Sequence, residues 1–235
     1  MNSDLLARLL QPPATACWQD VGTVWTDLQT GDLLLRLPSL TNLTLFFIEN
    51  AVQVSFLPQL PRLISLDLEC HDPHEGVQQA WFIPADAVLA SLLLCPDLTE
   101  LNTTCGFNSA HWTALFDKLT KLKKLRINGS LESLQCFTAC PIAESLEELS
   151  LWGELHLSPS EISRLYGLRR LRSLFLESCF TPHLSDAMID NLSPPTPILP
   201  TLTYLSIRWR TFFGALKEVD RKGPSFEWMQ QQWTL

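Results

Sequence analysis

No apolar run approaches the about 18 residues that a membrane-crossing helix needs, so no membrane span is expected. Basic residues are scarce: 17 Lys and Arg against 25 Asp and Glu leave a net charge of −8. That balance argues against nucleic acid or an anionic membrane as the main partner. A glycine-rich phosphate loop, a nucleophile elbow and a metalloprotease helix motif are all missing, so no catalytic residue, cofactor or metal is expected. The seven cysteines are scattered, and those such as Cys95, Cys105 and Cys179 are expected to be reduced, small, buried hydrophobes. The opening Met-Asn-Ser-Asp has neither a basic start nor a long apolar core. An intracellular setting, cytoplasmic or nuclear, is therefore expected, with the sequons at Asn42, Asn102, Asn128 and Asn191 unmodified.

What is present is leucine, at a fixed spacing. In Leu168-Arg-Arg-Leu171-Arg-Ser-Leu174-Phe-Leu176-Glu-Ser-Cys179 the final positions alternate apolar and polar, as in a short strand with one buried face. With Leu174 as anchor, equivalent runs contain Leu43, Leu66, Leu101, Leu125, Leu149 and Leu205. Three residues before each anchor stands another leucine: Leu40, Leu63, Leu98, Leu122, Leu146, Leu171 and Leu202. The anchors are 23, 35, 24, 24, 25 and 31 residues apart, and the two long intervals hold insertions near Cys70–Pro84 and Ser193–Pro200. Four of the six spacings fall within a unit of about 20–29 residues, too short to bury its own apolar face and so dependent on neighbours like itself.

From Leu37 to Arg208 the chain resembles the leucine-rich repeat family, and Leu171-x-x-Leu174-x-Leu176-x-x-Cys179 is similar to the cysteine-containing variant of F-box-associated repeats. The resemblance implies an α/β fold, a right-handed solenoid (horseshoe) of about seven repeats with a concave parallel sheet. It also implies non-catalytic protein recognition, as in the substrate-reading part of an F-box-type ubiquitin ligase receptor, with a ligase adaptor as a further partner. The segment before the repeats lacks the Leu-Pro-x-Glu-like opening of an F-box. Secreted members usually carry paired cysteine clusters beside the repeats, and this chain has none. Alternatives within the same resemblance are a regulator or inhibitor of an enzyme, GTPase-activating or ribonuclease-inhibitor-like, and a plain scaffold.

Three regions follow. Residues 1–36 form an N-terminal cap, with a short helix after Ser3-Asp4 and a degenerate repeat over Ala16–Leu28 anchored on Val24. Residues 37–208 are the repeats, with helices expected over Pro84–Leu94, Ser109–Leu122, Leu131–Cys140 and Ser160–Leu168. Residues 209–235 are expected to be a helical cap, Thr211–Val219 and Phe226–Trp233, covering the last repeat. Cys70-His71-Asp72-Pro-His74-Glu75 matches no common zinc spacing and is expected to be an exposed loop.

Residues that alternate with the strand leucines should point outward. Asp67, Glu69 and Glu100 make an acidic zone; Trp152, Phe175 and Tyr204, flanked by Arg126 and Arg208, make an aromatic one. Exposed aromatics beside arginine are a common interface anchor, so these residues are the candidate protein-binding site of a monomeric chain.

Overall fold

The computed structural model describes residues 19–25, 31–32, 34–46, 54–69, 85–129, 134–138, 140–153, 159–178, 199, 201–210, 216–222 and 229–233. The fold is α/β, in two compact units, Met1–Gly106 and Phe107–Leu235. Among the described residues no helix is long and apolar enough to cross a membrane.

In the first unit β1 (Asp20–Trp25), β2 (Asn42–Phe46), β3 (Ser65–Glu69) and β4 (Glu100–Thr103) pair in parallel, each with the next in sequence. The anchors Leu43, Leu66 and Leu101 are in register and buried, as are Leu45 and Leu68 on the same face. Thr103 takes the corresponding core position in β4. Its hydroxyl accepts the Cys105 N–H at 3.0 Å, which satisfies the buried polar atom. β1 is a strand ahead of β2, and its register differs from the expected anchor. Val21, not Val24, is the partner of Leu43, and one extra residue between Val21 and Val24 is absorbed as a bulge. Between the strands lie a 3-10 turn, Leu57–Gln59, and helix α1, Ala85–Leu92, which buries Val88 and Leu92.

The second unit opens with α2 (Ser109–Lys118). Asn108 caps it reciprocally: its side chain accepts the His111 N–H at 3.0 Å, and its own N–H donates to His111 Nδ1 at 3.3 Å. Trp112, Leu115, Phe116 and Leu119 are all buried, the face expected from their spacing. The strands β5 (Lys124–Asn128), β6 (Glu148–Gly153), β7 (Ser173–Ser178) and β8 (Tyr204–Arg210) are again parallel, with Leu125, Leu149, Leu174 and Leu205 in register. Of the expected helix over Leu131–Cys140, the described residues form a 3-10 turn, Leu134–Phe137. Pro141 opens the next turn, so an α-helical ladder cannot run on. The Ser160–Leu168 segment is α3, Pro159–Ser163, tightening into a 3-10 turn at Arg164–Gly167. Glu161 joins two of these layers: its carboxylate accepts the Leu134 N–H at 2.6 Å and the Arg164 Nε–H at 2.9 Å.

Two backbone devices recur in both units. Each leucine three before an anchor donates its N–H back across a turn, as Leu40 does to Leu37, Leu98 to Cys95 and Leu171 to Leu168. All seven of these leucines are buried. Ahead of β2, β3, β5, β6 and β7 the carbonyl two before the anchor accepts two successive N–H groups at the entry of the next strand: Thr41 from Ile64 and Ser65, Glu147 from Arg172 and Ser173. The repeated leucines thus coincide with a repeated way of satisfying backbone polar groups between strands.

The C-terminal expectation is overturned. Residues 209–235 are not a helical cap: β8 runs to Arg210, β9 (Leu216–Lys222) pairs with it antiparallel, and β10 (Met229–Trp233) pairs antiparallel with β9. β8 alone would present a row of unpaired N–H and C=O groups, and pairing these outweighs the local helical spacing of Leu216 and Val219. The helix after Ser3, the Cys70–Glu75 cluster, Phe212, Phe213 and Trp228 lie outside the described residues, as do Cys179 and Asn191.

Candidate protein-binding face

On β5 to β8 the register sets three outward rows. The first is Lys124, Glu148, Ser173, Tyr204; the second is Arg126, Ser150, Phe175, Ser206; the third is Asn128, Trp152, Glu177, Arg208. Trp152 and Phe175 are therefore diagonal neighbours rather than direct partners. That separation suits two large rings, and their centroids lie 5.1 Å apart with planes tilted 35°. Phe175 meets Arg208 across its other diagonal: the guanidinium carbon is 5.4 Å from the ring centroid. Arg208 Nη1 also lies 3.9 Å from Glu177 Oε2, between the two third-row residues. An ion pair at that length and exposure contributes little, and the cation over the ring about 0.5–1 kcal/mol. Trp152 stays 41% exposed, the most exposed aromatic among the described residues.

The structure thus brings Trp152, Phe175 and Arg208 together as expected, and adds Glu177. That residue stood between Trp152 and Arg208 in the outward row but was not singled out. Tyr204 is half-buried at the start of β8, in register with Ser173. Arg126 is exposed, two strands from Phe175. One outward position departs from expectation. Ser206 is fully buried, and its hydroxyl has no partner among the described residues. It lies in register with Phe175, with Tyr204 and Arg208 two residues to either side along β8.

Backbone geometry fixes the tryptophan. The Trp152 carbonyl accepts the Gly129 N–H at 2.8 Å, and Gly153 follows with φ of +120°. A Cβ on Gly153 would stand 2.5 Å from the Gly129 carbonyl oxygen, so only glycine fits directly after Trp152.

The acidic zone lies in the first unit and is organised differently. Asp67 and Glu69 alternate along β3, and Ser65 Oγ donates to Glu100 Oε2 at 3.3 Å. Burial, and secondarily the charge of Asp67, hold the Glu69 carboxyl above the usual carboxylate range.

Four cysteines are described, and all are free thiols. Burial pushes Cys95 up to about 11 and Cys136 up to about 12, the latter helped by Cys140, so neither is a nucleophile near neutral pH. Among the described residues no group of three His, Cys, Asp or Glu is arranged to hold a metal ion. No known family's model matches the chain, and no curated protein matches it either.

Proposed function

We propose that the chain is a non-catalytic protein-recognition module built of about seven leucine-rich repeats in solenoid fashion, and that it binds a protein partner on the outward face of β5 to β8. The observation that carries this is the Trp152–Phe175 pair, half-open to solvent and backed by Arg208. An aromatic anchor already packed on its neighbours loses little side-chain freedom on binding and brings a large apolar area with it. The parallel in-register leucine strands of each unit support the repeat assignment. The F-box-associated spacing around Leu171 and Leu174 makes a ubiquitin-ligase substrate the leading class of partner.

Affinity capture from native lysate tests the reading, with wild type set beside Trp152→Ala/Phe175→Ala. The substituted side chains lie outside the leucine core, so the variant should fold. A partner recovered at least tenfold less by the variant is the expected outcome. Equal recovery by both folded proteins would remove the reading.

A further inference from the structure

Register places a small residue among large ones on this face. Ser150 is half-buried; its partners on either side are Arg126 and Phe175, and Trp152 stands two residues further along its own strand. Ser150 thus offers a small side chain between larger ones, with Phe175 on the β7 side, Trp152 along β6 and Arg126 on the β5 side. Arg126 and Arg208 differ in state. Arg208 is engaged by the Phe175 ring and Glu177, whereas Arg126 is exposed and makes no ion pair or ring contact among the described residues.

The spacing of these groups matches an extended chain. Adjacent strands lie about 4.8 Å apart, so Arg126 on β5 is about 7 Å from the gap between β6 and β7 where the rings meet. Side chains on one face of an extended peptide repeat at about the same distance, every second residue. Glu148 lies on the same face two residues before Ser150 and disfavours a second acid there.

We propose that this face takes an extended segment of a partner protein carrying one aspartate or glutamate two residues from a large apolar or aromatic side chain. The carboxylate pairs with the Arg126 guanidinium, and the apolar group lies over Ser150 against Trp152 and Phe175. The inference rests on the protein-recognition reading and adds the chemistry of what is recognised.

The test uses blocked heptapeptides Gly-Ser-Asp-Ser-Phe-Ser-Gly, and the same peptide with Lys in place of Asp, titrated into isotopically labelled full-length chain. The readout is the Trp152 indole N–H resonance, assigned by its loss in Trp152→Phe. The Asp peptide should shift that signal at concentrations at least tenfold below the Lys peptide. Arg126→Glu should reverse the order and Arg126→Lys should keep it. Equal titration by both peptides, unchanged in Arg126→Glu, overturns the acid preference. No movement of the Trp152 signal with either peptide overturns the inference as a whole. In that case, loss of captured partner from Trp152→Ala/Phe175→Ala would leave the recognition reading standing, so the two failures are distinguishable.

Discussion

The two units use the same leucine pattern and differ in the charge they carry. Both stack parallel strands on in-register leucines and use the same carbonyl pattern between strands. Yet residues 1–106 hold 3 of the 17 Lys and Arg and 12 of the 25 Asp and Glu, a net charge of −9. Residues 107–235 hold the other 14 and 13, a net charge of +1. The whole acidic balance of the protein therefore belongs to the first unit. The second unit also holds an aromatic chain, Phe107 to Trp112 to Phe116 to Phe137, at centroid distances of 5.1, 5.7 and 5.0 Å. Leucine spacing thus sets the scaffold and leaves the outward rows free to vary, so recognition has to be argued from those rows.

The largest effect that sharpens this contrast is expected inside the second unit. Phe116→Ala removes a buried ring with aromatic neighbours on both sides and should cost about 3–5 kcal/mol. Urea unfolding measures it; a cost under about 1 kcal/mol, the range of well-tolerated core swaps, would mean the aromatic chain does not hold the unit. Gly153→Ala comes next, at about 1–3 kcal/mol from the positive φ, with the main-chain clash against Gly129 added to that. Thermal unfolding reads the cost, and the Trp152 indole resonance should move with it.

Glu161→Ala should cost about 1–3 kcal/mol, because the part-buried Leu134 N–H then loses its acceptor. Glu161→Gln, which keeps an acceptor oxygen, should recover most of that loss; if both variants are equally destabilised, the Arg164 ion pair is the more important contact.

The smallest effect belongs to the first unit. Because the folded-state pKa of Glu69 is raised, the fold holds its proton more tightly than the unfolded chain does. Its contribution therefore falls as pH rises through 4.5 and beyond, opposite to an ion-paired carboxylate. Glu69→Gln should raise the melting temperature slightly at pH 7 and leave it unchanged well below pH 4.5. A lower melting temperature at pH 7 would show that Glu69 is instead held by a favourable partner.

How much of this was legible in the chain differs by element. The leucine anchors and the Trp112 helix were readable because burial imposes a strict period on them. Diagonal packing of Trp152 on Phe175 followed from the same alternation, since register carries outward residues along with inward ones. The end of the chain was not legible. Leu216 and Val219 have helical spacing, but an open strand edge is a demand made by β8, and no local pattern records it. The anchor of β1 was missed because a bulge shifts the period by one residue, and the period was the only guide. Burial of Ser206 escaped for a related reason: alternation gives the side on which a residue lies and does not say whether water reaches it.

The most direct measurement sets the two outward faces against each other in one quantitative capture experiment. Trp152→Ala/Phe175→Ala alters the second unit, and Asp67→Asn/Glu69→Gln/Glu100→Gln neutralises the first. The account expects a partner that is lost with the aromatic variant and retained with the neutralised one. A partner retained by the aromatic variant and lost with the acids would contradict it, and would move recognition to β3 and β4.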